Sequence, residues 1–190
     1  MMQLRVLLVL LMLVPALGGC VAAAIVGVGA AGAAVGFDRR STGAYTDDET
    51  IEWKTSLAIR EKFGDKVHVN VTSFNRIVLL TGEVPTEEMR QEIQKIAQGT
   101  KSVRDVRNEI AVGQPTTLQN WTEDSYISSK VMANMVGNAD VNQYYVKVVT
   151  ENGVVYLMGL VTRNEGDAAA AVAANTSGVK RVVKVFEYTG

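Results

Sequence analysis

The sequence contains very little cysteine and histidine, two side chains on which many catalytic and metal sites depend. Of its 190 residues, one is a cysteine (Cys20) and one is a histidine (His68). A disulfide within the chain is therefore excluded, and Cys/His nucleophilic sites and Cys/His metal sites are unsupported. Charge is nearly balanced, with a formal net charge of −1, so no basic excess indicates a nucleic-acid partner. We therefore expect no catalytic residue, no cofactor and no metal, and a protein that is not an enzyme.

The N-terminus carries the most specific pattern. Residues 1–19 combine a basic start, a long apolar run and the small residues Gly18 and Gly19 directly before Cys20. This order predicts a secretory signal peptide. Leu-Gly-Gly-Cys resembles the bacterial lipobox, which implies that Cys20 is acylated and becomes the first residue after cleavage. Val21 follows where an Asp would retain a lipoprotein in the inner membrane, so the resemblance implies an anchor in the periplasmic leaflet of the outer membrane. The alternative is that Cys20 is an ordinary buried cysteine in an apolar helix.

A glycine- and alanine-rich stretch follows Cys20 and contains two suggestive patterns. A G-x-G-x-x-G pattern begins at Gly27, but the βαβ context that a dinucleotide site requires is missing. A G-x-x-x-G pattern begins at Gly32 and would suit helix pairing in a membrane. The apolar run is about 16 residues, shorter than the roughly 20 that a spanning helix needs. A flexible or membrane-hugging tether, followed by a polar linker over 38–47, fits the composition best.

The remainder of the chain is an internal repeat. A shift of 76 residues places Asp48 on Asp124, and with one residue added Gly82 falls on Gly159. Such self-similarity indicates one structural unit used twice. Because a unit of about 65 residues forms only a marginal core, we expect the two units to pack together. The predicted boundaries are a signal peptide at 1–19, a lipidated tether and linker at 20–45, a first domain at 46–112, a linker at 113–121 and a second domain at 122–190.

Hydrophobic periodicity predicts the order α-β-β-α-β in each unit. First helices are expected at 49–62 and 123–136; in the second of these Ile127, Val131 and Met135 share one face. Each is followed by a β-hairpin. Asn152-Gly153 between two β-rich runs predicts a type I′ turn, and Asn75-Arg76 is its looser counterpart.

A second helix and a last strand complete each unit. The helices are expected to open at Thr86 and at Thr162, where Glu165 completes a capping box. The last strands are expected at 103–112 and 179–188. The fold class is therefore α+β, with two tandem units that each form a three-stranded mixed sheet carrying two helices on one face.

This order, together with several local motifs, resembles the BON domain. The motifs are the Val-x-Val strand, the Asn-Gly-Val-Val hairpin at 152–155, the Gly-x-Val after it and the closing Gly-Val-x-x-Val at 178–182. A lipobox followed by two such units resembles the outer-membrane lipoproteins with two BON domains. The resemblance implies a non-enzymatic protein whose second unit binds anionic phospholipid. It also implies that the protein gathers at division sites and that envelope integrity depends on it. The alternative is a periplasmic adaptor that holds an envelope protein partner through its helices or sheet edges.

The resemblance attributes lipid contact to the first helix of the second unit. The outward face of that helix presents Tyr126, Ser129, Lys130 and Ala133, and Trp121 lies just ahead of them. An aromatic ring at headgroup depth beside a cation is the chemistry of an interfacial site. The alternative is that Trp121 and Tyr126 cover the junction between the two units.

Three other features are interpreted as structural. His68 is expected on a strand face without a chemical role. Trp53 is expected to pack between the domains or at the edge of a core. Glu87, Glu88 and Glu92 are expected to form a solvated helix face.

Overall fold

The structure is a computed structural model that describes residues 38–113 and 118–190. Four predictions concern residues outside these ranges. They are the signal peptide, the acylation of Cys20, the glycine-rich tether up to residue 37 and the linker residues 114–117.

The first domain has the predicted element order. Its helices and strands are α1 (Thr42–Phe63), β1 (His68–Phe74), β2 (Ile77–Val84), α2 (Glu87–Gly99), β3 (Asp105–Asn108) and β4 (Ala111–Val112). β1 runs antiparallel to β2, whereas β3 and β4 run parallel to it. The predicted last strand is thus interrupted. Asn108 explains the break, because its side-chain oxygen accepts a hydrogen bond from the N–H of Ile110 at 3.2 Å and so competes with the strand ladder.

The second domain repeats this arrangement with an uninterrupted last strand. Its elements are α3 (Leu118–Val136), β5 (Val146–Glu151), β6 (Val154–Val161), α4 (Arg163–Ala174) and β7 (Arg181–Tyr188). β6 lies in the middle, antiparallel to β5 and parallel to β7. The predicted capping box at Thr162 and Glu165 is present. The α+β class and the two three-stranded mixed arrangements are confirmed.

The first helix of each domain begins earlier than periodicity predicted. Residues 42–47 were assigned to a linker but form the first turns of α1, and residues 118–121 belong to α3. Ser41 starts α1, because its Oγ accepts a hydrogen bond from the N–H of Ala44 at 3.1 Å. The buried stripe of α1 includes Ala44 and Asp48. A small residue and a carboxylate carry no hydrophobic signal, so the pattern missed these turns.

The two hairpin turns have the same geometry. Asn152 and Gly153 have φ values of 52° and 77°, as a type I′ turn requires. Asn75 and Arg76 have φ values of 50° and 65°, so the first turn is the same turn built without glycine.

Each sheet separates a helical core from a core shared by the two domains. In β2, Val78 and Leu80 pack with the buried residues of α1 and α2. Leu79 points to the opposite face and packs with Tyr156 and Met158 of β6. The two sheets therefore face each other, and the helices lie on the outer sides. The expectation that the two units pack together is confirmed.

Polar contacts also cross the junction between the domains. The ammonium of Lys147 lies 2.7 Å from a carboxylate oxygen of Glu52 and donates to the carbonyl of Ser73 at 3.3 Å. The side-chain amide of Asn75 donates to Glu187 at 3.1 Å. These contacts surround the shared apolar core and fix how the sheets meet.

Candidate functional site

Helix α3 is amphipathic in the sense that the sequence predicted. Ile127, Val131 and Met135 are 3%, 0% and 1% exposed and belong to the core of the second domain. On the other side of the helix, the ring of Tyr126 is 64% exposed. Ser129 and Ala133 are exposed as well, and Lys130 is partly exposed. The predicted outward residues therefore share one accessible face.

This face is more apolar than the sequence analysis recognised. Met132 and Val136 are 45% and 65% exposed, and helical spacing places Val136 on the stripe that carries Ser129 and Ala133. The complete set, here called the α3 surface, consists of Tyr126, Ser129, Lys130, Met132, Ala133 and Val136. The missed signal was the pair of apolar side chains, Met132 and Val136, at helix positions that face solvent.

Lys130 is positioned beside Tyr126 by two kinds of contact. Its ammonium donates hydrogen bonds to the carbonyl of Ser177, at 2.6 Å, and to the hydroxyl of the same residue. The ammonium also lies 5.2 Å from the centroid of the Tyr126 ring, within the range of a cation–π interaction. A cation and an aromatic ring are thus held together at one edge of the α3 surface.

Trp121 lies at the junction between the domains. Its ring stacks on the imidazole of His68 in the first domain, with 4.8 Å between ring centroids and an angle of 29° between planes. Nevertheless, 44% of the tryptophan is exposed. For Trp121, this contact agrees with the alternative that the residue covers the junction. For Tyr126 it does not apply, because the Tyr126 ring is exposed to solvent.

Trp53 does not pack as predicted. It is 65% exposed on α1, so the expectation of interdomain or core-edge packing is wrong. The buried stripe of α1 runs through Ile51, Thr55 and Ile59, and Trp53 falls on the other side of the helix.

The acidic residues of α2 form local ion pairs. The side chain of Arg90 hydrogen-bonds Glu87 and lowers the pKa of that carboxyl. Lys62 does the same for Glu92. Glu88 is exposed. These contacts agree with a solvated helix face.

His68 has polar surroundings that the sequence analysis missed. Its Nδ1 lies 3.0 Å from a carboxylate oxygen of Glu83, its partner across the β1–β2 ladder. Glu151 of the second domain completes a group whose three candidate ligand atoms lie within 4.8 Å of one another. The two-residue turn at 75–76 sets a register that pairs position 68 with position 83, so the sequence could have placed two of the three residues side by side.

Within residues 38–113 and 118–190, no helix combines the length that a membrane span needs with a sufficiently apolar composition.

These observations define a class: a tandem pair of α-β-β-α-β domains that face each other through their sheets and expose an amphipathic helix. The BON domain family model matches residues 48–114 and 123–190. The chain belongs to the BON-domain family, as the sequence motifs indicated.

Several proteins are similar to this chain over most of its length. Outer membrane lipoprotein DolP of Haemophilus influenzae is 40% identical over 174 residues, which cover 90% of this chain and 90% of the relative. The 21 kDa hemolysin of Actinobacillus pleuropneumoniae is 34% identical over 80% of this chain and 79% of its own. The osmotically-inducible protein Y of Escherichia coli is 28% identical over 80% of this chain and 78% of its own.

The location predicted from residues 17–20 agrees with these relatives. The chain is similar over almost its whole length to an outer membrane lipoprotein, so the outer-membrane location is confirmed. Acylation of Cys20 stays a prediction.

Proposed function

We propose that this protein is a non-enzymatic outer-membrane lipoprotein whose second BON domain binds anionic phospholipid through the α3 surface. Acyl chains on Cys20 would hold it in the membrane, and the α3 surface would sense the lipids nearby. The observation that carries the proposal is the exposure of Tyr126 and Val136, 64% and 65%, beside the positioned ammonium of Lys130.

The composition of the α3 surface suits the headgroup region. Tyrosine rings are enriched at membrane interfaces, where the ring is apolar and the hydroxyl is solvated. Met132, Ala133 and Val136 add apolar area that a shallowly inserted helix can bury. One lysine contributes about 1 kcal/mol of attraction to an anionic surface. The contact is therefore expected to be weak and only partly electrostatic.

A weak contact is sufficient when the protein is already tethered. Each buried CH₂ of an acyl chain contributes about 0.8 kcal/mol, and anchors with more than one chain are stable. The α3 surface then meets lipid at a high effective concentration. Its preference would determine where in the outer membrane the protein resides, rather than whether it is bound.

The proposal can be tested with the soluble fragment 21–190, which lacks Cys20 and retains the compact unit from Arg39 to Gly190. We expect this fragment to bind micelles containing anionic phospholipid more tightly than zwitterionic micelles. Tyr126→Ala and Lys130→Glu should each weaken binding several-fold. Trp53→Ala is the matched control, because Trp53 is an equally exposed aromatic residue, at 65%, on the first helix of the other domain.

The pattern of effects decides the outcome. Equal binding to both micelle types, unchanged by Tyr126→Ala and Lys130→Glu, would exclude the proposed site. A loss with Trp53→Ala as large as the loss with Tyr126→Ala would show general adsorption of aromatic surface. Chemical-shift changes confined to α3 on addition of lipid would support the proposal directly.

For Trp121 we propose a secondary contribution. Its exposed edge can reach lipid only from the junction, where the ring stacks on His68. Trp121→Ala should therefore reduce lipid binding less than Tyr126→Ala does.

By the family resemblance, we also propose that the protein supports envelope integrity and gathers at division sites. A fluorescent fusion of the full-length protein should concentrate at the septum, and deletion should sensitise cells to detergents. Tyr126→Ala should disperse the septal signal while leaving the protein in the membrane fraction. An unchanged septal signal would show that localisation at the septum does not depend on the α3 surface.

A second candidate is an adaptor for an envelope protein. The supporting observation is a groove of about 600 Å³ lined by β1, β5 and residues of α1 and α3. β1 and β5 are the edge strands of their sheets, and edge strands offer backbone groups to an extended peptide. Crosslinking in cells that recovers one stoichiometric partner from Tyr126→Ala protein would favour the adaptor. Recovery of none would favour the lipid-binding function alone.

A further inference from the structure

The junction between the two domains brings a partly buried histidine and two buried carboxylates into one group. The Nδ1 of His68 lies 3.0 Å from Glu83, and the side chains of these residues are 17% and 5% exposed. Glu151 reaches the same place from β5 of the second domain and is 7% exposed. One ligand atom from each residue lies within 4.8 Å of the others.

Glu151 is a buried carboxylate that forms no salt bridge among the described residues. It accepts a hydrogen bond from the neutral side-chain amide of Asn70 at 2.9 Å. Among the salt bridges of the described residues, none involves Glu151. A buried charge is costly unless it is paired or coordinates a metal.

An independent observation comes from Thr81, which is 1% exposed. Within residues 38–113 and 118–190, its hydroxyl has no hydrogen-bond partner. The alternation of β2 directs Thr81 to the same face as Glu83, and Thr81 lies opposite Asn70 in the strand register. A buried hydroxyl without a hydrogen-bond partner destabilises the folded state. A water molecule bound to a metal ion is a partner that would satisfy it.

We propose that His68, Glu83 and Glu151 bind a Zn²⁺ ion between the two BON domains. Imidazole nitrogen and carboxylate oxygen are preferred zinc ligands, and three protein ligands with a water in the fourth position form a familiar tetrahedral site. Zinc distances of about 2.0–2.2 Å place tetrahedral ligand atoms roughly 3.4 Å apart. The ligand atoms lie within 4.8 Å of one another, so the side chains would have to move together by at most about 1.4 Å to reach this spacing.

The site borders a cleft at Glu151 and connects separate parts of the chain. Asn70, Trp121 and Glu151 line a cleft of about 230 Å³, which provides an entry path. Two ligands come from the first domain and one from the second. Bound zinc would therefore strengthen the junction, and it would replace a proton on Nδ1 of His68 by the metal.

The test uses the mature lipoprotein in detergent micelles, freed of metal by chelation and titrated with ZnCl₂ in a calorimeter. We expect one Zn²⁺ per chain. We expect Glu151→Gln and Glu83→Gln each to weaken binding at least tenfold, since even outer-shell changes cost 10–100-fold. Glu88→Gln is the matched control, because Glu88 is an exposed carboxylate on α2 and should leave affinity unchanged.

Two further measurements keep all three proposed ligands in place, so they test the proposal even if a glutamate variant fails to fold. His68 is the only histidine, so its imidazole ¹⁵N resonances are unambiguous, and Zn²⁺ should shift Nδ1. In a Trp53→Phe background Trp121 is the sole tryptophan, and excitation above the tyrosine absorption band selects its emission. Because its ring stacks on His68, its emission should change with the same saturation curve.

The remaining outcomes overturn the proposal. These are the absence of any zinc heat with unchanged His68 resonances, zinc binding that is unaffected by both glutamate substitutions, and equal binding of MgCl₂ or CaCl₂ at the same concentrations. The last result would identify a carboxylate site for hard cations without the imidazole.

Discussion

Asp124 holds the hairpin of the second domain in the same way that Asp48 holds the hairpin of the first. The carboxylate of Asp124 accepts hydrogen bonds from the backbone N–H groups of Asn152, at 2.7 Å, and Gly153, at 2.8 Å. The carboxylate of Asp48 accepts from Asn75 at 2.8 Å and from Arg76 at 2.6 Å. The repeat therefore preserves a helix-to-turn link, and both aspartates are buried.

The first prediction follows from this link. Asp124→Asn leaves one oxygen to accept two N–H groups and should lower the free energy of unfolding by about 2 kcal/mol, as for other buried charged hydrogen bonds. Asp48→Asn should cost more, because Asp48 also pairs with Arg40 at 2.8 Å and accepts from the hydroxyl of Ser73 at 2.7 Å. Urea unfolding measures both. Asp140→Asn, at an exposed position, is the control, and equal midpoints for all three variants would contradict the prediction.

A second prediction concerns two glycines that the repeat aligns. A Cβ at Gly82 would lie 2.1 Å from the carbonyl oxygen of His68, at a φ of 110°. A Cβ at Gly159 would lie 2.3 Å from the carbonyl oxygen of Tyr145. Alanine at either position forces the backbone apart and should destabilise the protein by roughly 1–3 kcal/mol or more. Gly99→Ala is the control: no atom of the described residues lies within 4 Å of the added Cβ. Because Gly99 is the last residue of α2, alanine there should leave stability unchanged or raise it by up to about 1 kcal/mol. Loss of stability in that variant would undermine the argument.

A third prediction tests the core shared by the domains. Leu79 is 0% exposed and packs with Tyr156 and Met158 across the junction. Leu79→Ala should lower the free energy of unfolding by about 2–5 kcal/mol. It should also loosen the junction, which Trp121 fluorescence would report. Leu57→Ala removes the same atoms from a residue that is 38% exposed on α1 and should have a much smaller effect. Independent domains would instead show an unchanged second domain in Leu79→Ala.

The fourth prediction is a pH dependence. The side chain of Arg39 hydrogen-bonds Glu165, with N–O distances of 2.7 and 2.8 Å, and lowers the pKa of that carboxyl from 4.5 to about 2. A lowered pKa in the folded state means that the pair stabilises the fold above pH 4.5. This contribution is lost as the pH falls towards about 2.

Arg39→Gln should therefore reduce the free energy of unfolding at pH 7 by at most about 1 kcal/mol, because both side chains remain partly exposed. The difference from the unaltered protein should shrink between pH 4.5 and 2. Urea unfolding at a series of pH values measures it. Lys184→Gln removes a more exposed pair with Asp167 and should change little. A difference that is constant with pH would contradict the assignment to Glu165.

The sequence was sufficient to predict the duplicated order of elements, the hairpins and the buried stripe of α3. Each depends on spacing or turn chemistry within about 15 residues, such as Asn152-Gly153 or the pair Thr162 and Glu165. The predicted start of α1 was wrong because hydrophobic periodicity does not detect small or polar residues in a buried stripe. Ala44 and Asp48 are such residues. Trp53 failed for the opposite reason, because a large aromatic residue suggested burial where the helix faces solvent.

The functional surfaces divide in the same way. Periodicity alone placed Tyr126, Lys130 and Ala133 on the outward face of α3. A helix repeats every 3.6 residues, so once its buried stripe is known the opposite face is known as well. The meeting of His68 and Glu151 was decided only when the two sheets packed face to face. Contacts between domains depend on the relative placement of separately folded layers, and no short-range pattern in the chain encodes that placement.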